Sequence, residues 1–127
     1  MTIEPTPSQT VGPFFTLGLC REPQNEVVRG GSVRVVGRVL DGNGEPVNDA
    51  LLELWQPEGW GRCGTDDDGR FEFVTERPAA GYAEVMVFAR GLLRHLVTRC
   101  SFDAAQNGVV RFDIHLQGDE ETAFFDV

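Results

Sequence analysis

From Ser32 onward, apolar and polar residues alternate in short runs. Val33, Val35 and Val39 are interleaved with Arg34 and Arg38. Ala50, Leu52 and Leu54 keep the same two-residue rhythm, as do Phe71 and Phe73, then Ala83, Val85 and Val87. Residues 96–102 form a further apolar run. The longest alternation sets Val110, Phe112, Ile114 and Leu116 against Arg111, Asp113, His115 and Gln117. A period of two sends successive side chains to opposite faces of an extended chain, so each run predicts a strand with one buried face. Turn residues separate the runs about every ten positions. Asp41-Gly42-Asn43-Gly44 supplies the positive-φ residues of a tight connection, Asp66-Asp67-Asp68-Gly69 a second turn, and residues 78–81 a break. No segment sustains a helical period. The pattern predicts an all-β fold, a single β-sandwich of about seven to nine short strands over residues 32–127.

Residues 1–31 read differently. Pro5, Pro7, Pro13 and Pro23 with Gly12, Gly18, Gly30 and Gly31 rule out a helix and favour extended backbone. Yet Val11, Phe14, Phe15, Leu17 and Leu19 are too apolar for a freely solvated segment. The expectation is an extended N-terminal arm, 1–31, that packs on its own domain or on a partner. A length of 127 residues fits one domain with a real core.

Composition narrows the chemistry. Twenty acidic residues against eleven basic ones give a net charge of −9, which argues against nucleic-acid or anionic-membrane partners. All the basic residues are arginine, so Schiff-base and phosphate-loop lysines are excluded. With one tyrosine, Tyr82, and two histidines, His95 and His115, a site needing several phenolate or imidazole ligands from this chain alone is nearly excluded. Cys20, Cys63 and Cys100 form no CxxC pair, and core filling is their expected role. Residues 1–13 lack the basic-then-apolar order of a secretory leader, and no apolar run approaches the ~20 residues of a membrane span. The expected compartment is the cytoplasm.

Local candidates for chemistry have plain structural alternatives. The Asp66–Gly69 cluster lacks the glycine and glutamate spacing of an EF-hand loop, having Phe71 and Arg77 there, so it reads as a turn. Asp113 and His115 share a strand face and with His95 could form a two-histidine, one-carboxylate iron site. Against that, Arg111 on the same face would pair with Asp113 on an ordinary surface. No serine sits in a nucleophile elbow. Phe124-Phe125 reads as a final strand packing on the core. Arg90, beside Gly91 at a strand end, could project a guanidinium fork toward a planar carboxylate; the alternative is a surface ion pair with one of the carboxylates.

Four stretches, in order along the chain, resemble the α subunits of the protocatechuate 3,4-dioxygenases, which are intradiol ring-cleavage dioxygenases. They are Thr6-Pro7-Ser8-Gln9-Thr10-Val11-Gly12-Pro13-Phe14-Phe15; Gly37-Arg38-Val39-Leu40-Asp41-Gly42-Asn43-Gly44 running on to Leu54-Trp55-Gln56; Phe88-Ala89-Arg90-Gly91-Leu92-Leu93-Arg94-His95-Leu96; and Arg111-Phe112-Asp113-Ile114 through Leu116-Gln117-Gly118 to Phe124-Phe125-Asp126-Val127. The resemblance implies a β-sandwich that takes part in opening a catechol ring between its hydroxyls with O2. In this family a non-haem Fe(III), held by two tyrosines and two histidines, belongs to a β subunit, while the related α subunit lines part of the substrate pocket. The His-x-His of the iron subunit corresponds here to Tyr82 and Glu84, so no metal ligand and no catalytic residue is expected in this chain.

Substrate-binding roles follow from the same resemblance. Arg90 would face the ring carboxylate of protocatechuate. Gly12 and Pro13 would reach the pocket of the neighbouring β subunit, with a hydroxyl from Thr10 beside them. The implied function is an iron-free α-type subunit in a hetero-oligomer, supporting cleavage of protocatechuate to 3-carboxy-cis,cis-muconate and inactive alone. The chain is shorter than family α subunits after Trp55-Gln56, between Thr75 and Gly81, and between Phe102 and Val109. A competing reading is a non-catalytic, transthyretin-like or carboxypeptidase-regulatory-like binding module, which needs no iron partner.

Overall fold

The computed structural model describes residues 24–92, 94–116 and 122–124. They form eight strands: β1 (Val33–Leu40), β2 (Leu51–Gln56), β3 (Gly59–Gly64), β4 (Arg70–Thr75), β5 (Tyr82–Phe88), β6 (Leu96–Ser101), β7 (Val109–Arg111) and β8 (Ile114–His115). Two four-stranded sheets result. In the first, β1 lies between β4 and β7, and β8 continues beside β1; in the second the order is β3-β2-β5-β6. The fold is the expected all-β sandwich.

The predicted alternation sets the layers. Val35 and Val39 of β1, Phe71 and Phe73 of β4, Val110 and Ile114 turn inward from the first sheet. Leu52, Leu54, Ala83, Val85, Val87 and Cys100 turn inward from the second. Burying a side chain of this size contributes about 1.5–3 kcal/mol, so this double layer is what holds the sheets together. Phe124 packs against the same core from the C-terminal side.

Two local features depart from the sequence reading, each for a physical reason. The run from Val110 to Leu116 is not one strand. It leaves the ladder at Phe112-Asp113, and the Asp113 carboxylate, not a backbone carbonyl, accepts the Arg38 N–H at 3.1 Å. The break lies over Gly37, where any Cβ would fall 1.9 Å from the Phe112 carbonyl oxygen. Asp113 therefore repairs the ladder and does not pair with Arg111. The Asp41–Gly44 turn, with only Gly44 at positive φ, folds the chain back on β1 through a Leu40–Pro46 bridge before it crosses to the other sheet. The Asp66–Gly69 turn likewise joins strands of different sheets. In both turns the first aspartate accepts two backbone N–H groups, Asn43 and Glu45 on Asp41, Asp68 and Arg70 on Asp66, which occupies the carboxylate oxygen with structure.

Residues 24–28 close one side of the sandwich. Val27 and Val28 donate to the Val74 carbonyl, Val74 donates to that of Asn25, and Arg62 on β3 donates to that of Gln24. The segment thus bridges the outer strands of both sheets, with Val27 buried in the core. Pro57 and Glu58 alone link β2 to β3.

Candidate functional site

Arg90 stands at the tip of a turn directly after β5. The Leu92 N–H donates to the Ala89 carbonyl at 3.2 Å, and Gly91 has φ +90°, as the third position of a type II turn requires. Only glycine adopts that angle without strain, so the Arg90-Gly91 step is what lifts the guanidinium off the sheet. Its side chain is 76% exposed, and Nε lies 3.0 Å from an Asp49 carboxylate oxygen in an ion pair. The register explains the partner. Leu51 pairs with Phe88 at the end of the β2–β5 ladder, so two steps further out Asp49 stands opposite Arg90. The surface ion pair weighed as an alternative for Arg90 is therefore present, and it leaves the guanidinium largely open to solvent. The Phe88 ring, two residues before Arg90, packs against His95 with centroids 5.3 Å apart.

The outer face of the second sheet carries a row of aromatic and charged side chains. Trp55 and Trp60, opposite each other across the hairpin, stack with centroids 5.1 Å apart and planes 12° from parallel. Glu53 accepts from Trp55 Nε1 at 3.1 Å and from Arg62 at 3.0 Å, and the Arg62 guanidinium lies over the Trp60 ring. On the neighbouring strands Arg99 sits 4.5 Å over the Tyr82 ring and 3.8 Å from the Glu84 carboxylate. Sequence reasoning missed both clusters. Their signal is a two-residue loop between Trp55 and Trp60, and a register that sets Glu84 beside Arg99.

The donor set does not fit ferric iron. The Arg99 guanidinium lies over Tyr82 and beside Glu84, and its positive charge opposes a nearby metal cation. Among the described residues no group of three His, Cys, Asp or Glu side chains could hold a metal ion. Asp113 accepts the Arg38 N–H, and the His95 ring packs against Phe88. Burial pushes the Cys63 thiol up to about 11 and the Cys100 thiol up to about 12, so neither is a nucleophile near neutrality. Thr10, Gly12, Pro13 and Cys20 lie outside the described residues. No helix among the described residues is long and apolar enough to cross a membrane.

No family model matches the chain. Among curated proteins it is 32% identical to the protocatechuate 3,4-dioxygenase alpha chain of Burkholderia cepacia, over 99% of this chain and 99% of that one. That alignment runs over 195 positions against 127 residues here, so the relative carries extra residues within the shared span. The chain is also 36% identical to the protocatechuate 3,4-dioxygenase beta chain of the same organism, over 40% of this chain and 31% of that one. Among solved structures it superposes on the dioxygenase domain of a dioxygenase–carbohydrate-binding protein fusion from Streptomyces sp. SirexAA-E. The TM-score is 0.63 at 22% identity, covering 91% of this chain and 99% of that one, a likeness of fold. The near-complete match to the alpha chain decides the assignment: the chain belongs to the protocatechuate 3,4-dioxygenase alpha-chain family of intradiol dioxygenases.

Proposed function

We propose that this chain is an iron-free α-type subunit that completes the substrate pocket of an iron-bearing β subunit, for intradiol cleavage of protocatechuate by O2. The observation that carries the reading is the end-to-end identity with an alpha chain of that enzyme. Two features of the chain support the division of labour. The residues at the iron-subunit histidine positions are a tyrosine and a glutamate under a guanidinium, a poor seat for Fe(III). Arg90 is mounted on a tight turn with its charged end in solvent, suited to an anionic ring substituent presented from another subunit.

In this reading Arg90 binds and orients the substrate carboxylate. Gly12 and Pro13 lend backbone to the pocket wall, and Thr10 a hydroxyl. The iron held by the partner supplies the oxygen chemistry, and this chain contributes binding and orientation in the cytoplasm. Co-expression with a β chain of the same family tests it. A stable complex that cleaves protocatechuate faster than the β chain alone is expected. A β chain fully active by itself, or one that does not associate with this chain, refutes the subunit role and leaves a non-catalytic sandwich module.

A further inference from the structure

Nothing in the family resemblance gives Asp49 a part, yet its carboxylate is the group that holds Arg90. We propose that Asp49 is the positioning residue for Arg90: by ion-pairing on the Nε side at 3.0 Å it holds the guanidinium so that its two terminal nitrogens present one edge to a planar carboxylate. The inference rests on the subunit reading above, since that reading supplies the carboxylate.

Both ends of the pair are anchored to the sheet. Asp49 precedes Ala50, which is fully buried and whose N–H donates to the Thr65 hydroxyl at 3.1 Å. The Asp49 side chain is only 15% exposed. Arg90 is held from the other side by its turn and by the Phe88 rung of the ladder. A guanidinium has five N–H donors in a planar fork. Asp49 pairs on the Nε side, and the shared edge of the two terminal nitrogens matches a carboxylate in two parallel hydrogen bonds. A free arginine would lose rotamer freedom on meeting the substrate; one already ion-paired with Asp49 loses less.

The test uses the complex with an iron-bearing β chain and two substrates that differ only in the ring carboxylate, protocatechuate and catechol. Asp49→Asn is expected to raise KM for protocatechuate about 2- to 10-fold, the cost of immobilising one flexible side chain at binding. KM for catechol and the melting temperature are expected to stay unchanged, whereas a merely structural defect would move both substrates together. Arg90→Ala is expected to raise KM for protocatechuate further and to make Asp49→Asn silent in the double variant. If Arg90→Ala alters protocatechuate KM but Asp49→Asn does not, the positioning role falls while the subunit reading stands. A lower KM in Asp49→Asn would mean that Asp49 competes with the substrate, and also overturns the positioning role. If Arg90→Ala has no effect, or no complex forms, the reading beneath it fails as well.

Discussion

Thr75 on the first sheet donates its hydroxyl to the side-chain oxygen of Gln56 on the second, at 2.8 Å, with both residues buried. Gln56 in turn donates to the Glu76 carbonyl and to the Glu58 carboxylate. This polar link crosses an otherwise apolar core and fixes where the β2–β3 hairpin, with its two tryptophans, meets the first sheet. Replacing Thr75 with Val keeps the shape but leaves the Gln56 oxygen without its donor. The expected cost is about 1–3 kcal/mol in chemical denaturation. Changing both partners to apolar residues of similar shape should recover much of that loss. A neutral Thr75→Val variant would show that the link contributes nothing.

The Trp55–Trp60 stack should be visible in solution. Two indoles at 5.1 Å and nearly parallel couple electronically, so the folded chain is expected to show an exciton couplet in far-UV circular dichroism. Trp60→Ala should abolish the couplet while costing only about 0.5–1.5 kcal/mol, since the rings are 42% and 46% exposed. A couplet that persists in the variant contradicts the stacking.

Two desolvated thiols, half-buried Cys63 and buried Cys100, predict an alkaline weakness. Both are held above the ordinary thiol value by burial, Cys63 at about 11 and Cys100 at about 12. A group whose folded pKa is raised stabilises the fold fully below its unfolded value and loses that contribution as pH climbs to the folded one. Stability should therefore fall between about pH 9 and about pH 11–12, where the unfolded chain ionises thiols that the folded chain keeps protonated. Thermal melts across that range check it, and Cys100→Ala should flatten the slope. Native protein at pH 8 should leave Cys100 unmodified by a disulfide reagent, and its rapid labelling contradicts its burial.

Alternation in the sequence was enough for the layers, because a half-buried strand must place its apolar residues every second position. It was enough for β1, β2, β4 and β5. It misread the stretch from Val110 to Leu116, where the apolar pattern continues through a break that only Gly37 and the Asp113 carboxylate reveal. The Arg90-Gly91 step told of a projecting arginine, since glycine there meets a local backbone need. Asp49 was not legible. It lies 41 residues earlier, and its proximity depends on the β2–β5 register, a long-range property. The same holds for Arg99 over Tyr82, paired only once β5 and β6 are aligned. Residues 10–13, which the motif resemblance brings forward, lie outside the described structure.

The central claim is that this chain leaves the ferric ion to its partner. The most direct measurement is the iron content of the chain purified alone and of its complex with a β chain, each by elemental analysis. The account predicts no stoichiometric iron in the isolated chain and one iron per pair of chains in the complex. One iron bound by the isolated chain, or two per pair in the complex, would contradict it.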